Sequence, residues 1–304
     1  MKPHNPLYYH WKGKLLHSGI HILSHMRLLI RWTFFSVFTG SIMGLIGVAF
    51  VYCIQSVTTL RTNFVWMPLT LPLGGLLIVW LYRISHDQND KGTNMVLASL
   101  RSEAELPVQM APMIFISTII THLCGGSAGR EGAALQLGGS VGNLLGRLFR
   151  LNERDIRVMI LCGMSAAFSA IFRTPIAAAV FAMEVGCVGA MQYAALVPCT
   201  ISSLTASYLA SKLGIPLAHF SVTKVPGLHP LPALKILLLG ILCAAVSILF
   251  CILLHQCEKR LKQKFPNPYL RILAASGILL LLLLLLRSRD YLGVGTNVIS
   301  SAIA

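Results

Sequence analysis

Apolar residues in this chain run on in long blocks, separated by short polar breaks that often carry glycine or proline. The blocks cover residues 28–60, 67–84, 108–123, 133–149, 158–171, 175–191, 194–213, 231–255 and 269–286. Stretches that are apolar on every side predict helices enclosed by protein or lipid. An upright transmembrane helix needs about 20 such residues. Several blocks fall short of that and others exceed it, which predicts tilted and broken helices in place of a bundle of upright spans. The expected fold class is all-α and polytopic.

Composition supports a membrane protein. Of 304 residues, 55% are hydrophobic and 12% are charged, about half the charged share of soluble domains. The mean hydropathy is +0.72. A formal net charge of +15 could point to nucleic acid, but the basic residues flank the apolar blocks as lipid anchors do. No nucleic-acid recognition motif accompanies them, so nucleic acid is not an expected partner. Eight cysteines occur, none in a CxxC pair and most inside apolar blocks, and they read as buried thiols.

Residues 1–30 form a basic segment containing His4, His10, His17, His21 and His25. The last three recur every four residues and share a helical face. No carboxylate or cysteine joins them to complete a metal site, so the segment reads as an interfacial amphipathic helix. Lys2, Lys12, Lys14, Arg27 and Arg31 predict a cytoplasmic N-terminus. No cleaved signal peptide is expected.

An internal repeat is visible. Gly40 to Phe50 resembles Gly240 to Phe250, Arg83-Ile84-Ser85-His86-Asp87 resembles Arg287-Ser288-Arg289-Asp290, and Gly92-Thr93-Asn94-Met95-Val96 resembles Gly295-Thr296-Asn297-Val298-Ile299. The three matches share one order and offsets of 200 to 204 residues, as a two-fold transporter repeat would produce. The expected division is a first membrane repeat at 31–213, a linker at 214–230 and the start of a second repeat at 231–304. A counterpart of Glu131 would fall beyond Ala304, so the second repeat is expected to be truncated.

The chemistry concentrates in Gly125 to Arg147, GGSAGREGAALQLGGSVGNLLGR. Arg130 and Glu131 stand there between apolar blocks, and a charge at membrane depth costs ~2.5–3.5 kcal/mol on translocon scales. A helix over 131–147 would place the Glu131 carboxylate among free N–H groups at the positive end of the helix dipole. Such a site binds anions. Two readings stand at this point. Glu131 is a gate that occupies the site in place of a mobile anion and leaves on protonation, or it is a residue that caps the helix or pairs with Arg130. Gly138, Gly142 and Gly146 lie four apart, as close helix packing requires.

Here the chain resembles the CLC family of chloride channels and anion/proton antiporters, whose signature reads Gly-Lys/Arg-Glu-Gly-Pro. The run Gly163-Met164-Ser165-Ala166-Ala167-Phe168-Ser169-Ala170-Ile171-Phe172-Arg173-Thr174-Pro175-Ile176-Ala177 and its continuation Phe181-Ala182-Met183-Glu184 also match. The resemblance runs from about Arg27 to Ala304. It implies an inverted-repeat fold, with Glu131 as the gating and proton-coupling residue and Gly129, Arg130, Gly132 and Ala133 as the anion-binding turn around it. It also implies a homodimer in the bilayer with one pathway per subunit, and neither a metal nor an organic cofactor.

Three departures bear on the substrate. Ala133 replaces the usual proline of the signature. The early turn that reads Gly-Ser-Gly-Ile-Pro in chloride carriers aligns here with Gly92, Thr93, Asn94 and Met95. Val185 stands where many chloride/proton exchangers carry a second glutamate. Together these resemble the fluoride/proton antiporter branch, which implies proton-coupled fluoride export across the inner membrane, an activity the truncated second repeat is expected to impair. A small, strongly hydrated ion suits compact donors such as the Asn94 amide, while Met95 either lines the path or packs.

Glu184 is expected to serve structure by bonding backbone near a helix end. Arg173 is expected in a loop near an aqueous surface, and Lys259, Arg260, Lys262, Lys264 and Arg271 in a solvated loop near lipid headgroups. The alternatives to fluoride antiport are a chloride channel or chloride/proton exchanger, and a fragment that does not transport. An intramembrane enzyme using Glu131 and His122 lacks any HExxH or GxSxG motif.

Overall fold

The computed structural model describes residues 6–85, 93–101, 106–186, 191–215, 227 and 229–303, without the side chains of 6–25, 93, 94, 101, 296, 297, 300 and 303. All regular structure among them is helical. The helices are α1 (Pro6–Asn63), α2 (Leu71–Ile84), α3 (Thr93–Arg101), α4 (Met110–Leu123), α5 (Glu131–Leu148) and α6 (Glu153–Phe172). They continue with α7 (Pro175–Val185), α8 (Leu196–Lys212), α9 (Pro230–Lys264), α10 (Pro268–Leu286) and α11 (Thr296–Ile303). Short 3₁₀ turns at Met67–Thr70 and Tyr193–Ala195 lead into α2 and α8. Six helical stretches are long and apolar enough to cross a membrane, and α4 and α7 are shorter apolar helices. The chain is a multi-pass membrane protein.

Every apolar block of the sequence overlaps a helix, and the block that starts at Pro175 runs past the end of α7 at Val185. Two helices escape that pattern, α3 and α11, because nine and eight residues rich in Thr, Asn and Ser make no apolar block. Their positions follow the repeat. Gly40 to Phe50 lie in α1 and their counterparts in α9; Arg83 stands in the last turn of α2 and Arg287 caps α10; Thr93 and Thr296 open α3 and α11. The order α1–α2–α3 thus recurs as α9–α10–α11.

Two details differ from expectation. α1 runs on from Pro6 to Asn63, so no helix end marks residue 30; the side chains of His17, His21 and His25 lie outside the described residues. The basic residues 259–264 sit on the last turns of α9, not in a loop. Cations there complement the negative end of the helix dipole and reach toward water along flexible stems. Lys262 adds an ion pair with Glu258 one turn earlier.

The chain divides into two compact units that interleave along it. The first comprises Met1–Tyr52, Asp90–Phe115 and Glu131–Leu217; the second comprises Cys53–Asn89, Ile116–Arg130 and Ala218–Ala304. The first unit is built on small residues. A Cβ at Gly138 would strike the carbonyl oxygen of Gly163, one at Gly163 would strike that of Gly138, and one at Gly142 that of Met159. Backbone therefore lies on backbone between α5 and α6, as the glycine spacing predicts; Gly146 is looser, since a Cβ there would stand 3.2 Å from Ile156 Cγ1. Serine hydroxyls tie α6 to α8: Ser169 Oγ donates to the Ser203 carbonyl at 2.8 Å, and Ser202 Oγ to that of Cys162 at 3.1 Å. α1 seats through Gly40, where a Cβ would come within 2.5 Å of the Ser202 carbonyl oxygen.

In the second unit α2 packs on α10 at Gly75, where a Cβ would lie 2.5 Å from Ile272. α9 contains no buried residue.

Candidate functional site

The signature segment folds into a break between two helices. α4 ends at Leu123, and Gly125 adopts a left-handed conformation (φ +85°) that a side chain would strain. Gly126 N–H donates back to the Thr121 carbonyl at 2.8 Å, satisfying an end group of α4. The chain then runs without regular structure to a bend at Arg130, and α5 begins at Glu131.

Glu131 is the first residue of α5, as the sequence predicts, and the only acidic residue of its first turn. Its side chain is exposed, Gly132 is half-buried and Ala133 is buried. The carboxylate therefore stands at the positive end of a helix whose next residues turn inward. Gly129 is exposed in the preceding strip. The boundary between the two units falls between Arg130 and Glu131.

The second expected turn is only partly in view. Gly92 lies outside the described residues, as do the side chains of Thr93 and Asn94, the first two residues of α3. Met95 is half-buried against a core cluster that includes Val96, Leu100, Met164 and Met183, so it packs within the first unit.

Glu184 departs from expectation. Its side chain is exposed in the last turn of α7. A carboxylate at a helix C-terminus faces the negative end of the dipole, which favours turning outward over bonding its own helix end. Val185 beside it packs on the first unit's core. Arg173 also differs. It is the left-handed C-cap of α6 (φ 59°), half-buried, and its Nη1 donates to the Ile215 carbonyl at 2.7 Å. A cap followed by Thr174-Pro175 was the available signal, since proline commonly follows a helix end.

His122 is fully buried, with Nδ1 2.9 Å from the Thr118 carbonyl of its own helix. That contact ties the ring to the helix that carries it. No group of three or more metal-ligating side chains gathers among the described residues.

Sequence reading missed a cavity of about 490 Å³ in the second unit, lined by Arg61, Arg130, Arg289, Asp290 and Gly295 among others. Arg61 Nη1 donates to the His122 carbonyl at 3.3 Å. Gly293 (φ +73°) makes room for that guanidinium, since a Cβ there would lie 2.6 Å from Nη1. Arg61 and Arg289 are far apart in sequence, and each alone reads as a lipid anchor.

Comparison with known proteins bears on the family and the fold. A chloride/fluoride channel protein of Pseudomonas syringae pv. tomato is 28% identical over 267 residues, covering 88% of this chain and 59% of its own length. The H(+)/Cl(-) exchange transporter ClcA of Citrobacter koseri is 31% identical over 163 residues, 48% of this chain and 34% of that protein. The crystal structure of a CLC-type fluoride/proton antiporter superposes with a TM-score of 0.85 at 34% identity, covering 90% of this chain and 69% of that one. A slow cyanobacterial Cl-/H+ antiporter shares the fold, with a TM-score of 0.69 at 19% identity. The chain thus spans about three-fifths of the curated relative's length. The family model of voltage gated chloride channels matches residues 74–304, and together with the broken-helix signature and the antiporter-like fold this establishes that the chain belongs to the CLC family.

Proposed function

We propose that this protein carries anions across the membrane as a fluoride/proton antiporter, with Glu131 as the proton-sensitive gate. The observation that supports this best is the position of Glu131: an exposed carboxylate on the first residue of α5, following Gly129-Arg130. The first N–H groups of a helix have no intrahelical acceptor, and the dipole stabilises a negative charge there by about 0.3–1 kcal/mol, more when partly buried. The ionised side chain competes with a mobile anion for those donors. Protonation removes its charge, the side chain withdraws and an anion enters, so each cycle couples an anion to a proton.

The fluoride branch draws on Ala133 in place of proline, Val185 in place of an acid, and similarity to the fluoride/proton antiporter over 90% of the chain. With no acid at 185, protons reach Glu131 by a route that does not use that position. Gly92, Thr93, Asn94 and Met95 form the other anion turn of the reading. Two subunits pair in the inner membrane with cytoplasmic N-termini, and the repeat divides the chain at 31–213 and 231–304.

Reconstitution into liposomes tests the proposal. Fluoride efflux accompanied by proton uptake is expected, with Glu131→Gln abolishing the proton component. Absence of fluoride flux from the folded protein defeats the transport reading. Chloride flux equal to fluoride flux replaces the fluoride branch with the chloride exchanger reading, which the similarity to ClcA over half the chain favours.

A further inference from the structure

The second unit is strongly basic at the end where α9 gives way to α10. Lys259, Arg260, Lys262 and Lys264 lie exposed on the last turns of α9. α10 begins after the connector Phe265-Pro266-Asn267. Its Arg271 stands close enough to the Glu258 carboxylate to act on its charge, as Lys262 and His255 do. α2 ends at the same place, with Arg83 Cζ 5.9 Å from the centroid of the Tyr269 ring. Six cations therefore gather from three helix ends. Glu258 is the one carboxylate there among the described residues, and it is already paired with Lys262.

A groove of about 370 Å³ lies at this end of α9, lined by His255, Glu258, Lys259, Lys262 and Gln263. Residues three and four apart share a helical face, so the same face runs back into Ile252 and Ile248, which are 49% and 61% exposed. Cations thus stand directly beyond an open apolar track. A soluble anion would use only the first of these features, whereas an amphiphile with an anionic head uses both. Lysine stems bend along apolar surface while their ammonium groups reach polar partners, and hydrogen bonds from an ammonium to a phosphate oxygen are among the stronger kinds.

We propose that this end of α9 is a binding site for an anionic phospholipid. Lys259 and Lys262 hold the headgroup phosphodiester, Arg271 adds positive charge beside it, and an acyl chain lies along Ile252 and Ile248. Glu258 opposes the phosphate and limits the affinity. The site does not rest on the transport reading, since neither Glu131 nor the Gly92–Met95 turn takes part in it.

The test is native mass spectrometry of the purified full chain in uncharged detergent, titrated with dioleoyl phosphatidylglycerol or dioleoyl phosphatidylcholine. The anionic lipid should be retained more tightly than the zwitterionic one. One basic side chain beside an anionic lipid is worth a factor of about five, so Lys259→Gln should raise the apparent Kd for phosphatidylglycerol by about that factor. Lys259→Glu should raise it further, and Lys259→Arg should leave it near the wild-type value. Glu258→Gln removes the opposing charge and should tighten binding by a similar factor, a gain that misfolding cannot produce. Lys212→Gln, an exposed lysine at the end of α8, should change nothing.

Equal retention of the two lipids by the wild-type chain overturns the inference. So does a preference for phosphatidylglycerol that neither Lys259→Glu nor Glu258→Gln alters, since the lipid then binds elsewhere. Displacement of phosphatidylglycerol by an equal concentration of inorganic phosphate assigns the groove to a free anion and overturns the lipid.

Discussion

α6 and α9 are both apolar helices of this chain, yet they meet opposite surroundings. In α6, 78% of the most apolar window is buried; in α9 none of it is. The buried helix is the less greasy of the two, carrying Gly163, Ser165, Ser169 and five alanine or methionine positions among its buried residues, while α9 is dominated by leucine and isoleucine. Lipid chains are as apolar as leucine, so helices in a membrane gain little from burying leucine against each other. Association comes from close approach and from hydrogen bonds, both of which need small residues. In a membrane protein, then, high hydropathy marks the lipid-facing surface, and the core is written in Gly, Ala and Ser.

Substitutions on the two helices sharpen this contrast. The largest effect is expected for Gly163→Leu, which would force α5 and α6 apart where the Gly138 backbone leaves no space. Overpacking costs ~1–3 kcal/mol even where some repacking is possible, and here the obstacle is backbone. The monodisperse peak in size-exclusion chromatography should be lost. Gly240→Leu in α9, where nothing lies within 4 Å, should leave it intact. A collapse of both variants would refute the contrast.

Leu242→Arg comes next. Leu242 is 63% exposed near the middle of α9; if lipid surrounds it, insertion should be penalised by ~2.5–3.5 kcal/mol. A membrane-integration assay measures this, and free tolerance of the arginine would place α9 against water. Ser169→Ala follows, removing the bond to the Ser203 carbonyl. An interhelical hydrogen bond in a membrane is worth about 0.6 kcal/mol on average, so a shift of a few degrees in detergent melting is expected. The smallest effect belongs to Ser247→Ala on exposed α9, which should not move the melting temperature measurably.

Much of the fold was legible because apolar blocks map directly onto helices. The start of α5 at Glu131 was legible because glycines and a charge interrupt two such blocks. The pairing of α5 with α6 could be read from glycines four apart. What failed to show had physical reasons. α3 and α11 are too short and polar for a hydropathy signal, and only the repeated Gly-Thr-Asn points to them. Arg173 reads as a loop residue until Ile215, some forty positions on, supplies its acceptor. The arginine-lined cavity arises from segments distant in sequence, and no local pattern carries that. Glu184 escaped because the apolar run before it says nothing of which way a side chain turns at a helix end.

The backbone contact between α5 and α6 has a kinetic consequence. Close-packed backbone does not compress, so the helix that carries Glu131 is held fast against its neighbour. Under the gate proposal, movement at Glu131 then reduces to rotation about its side-chain bonds, an event of picoseconds to nanoseconds for an exposed group. A gate of that kind would leave the tempo of the proposed cycle to the arrival of protons and the shedding of water by the ion.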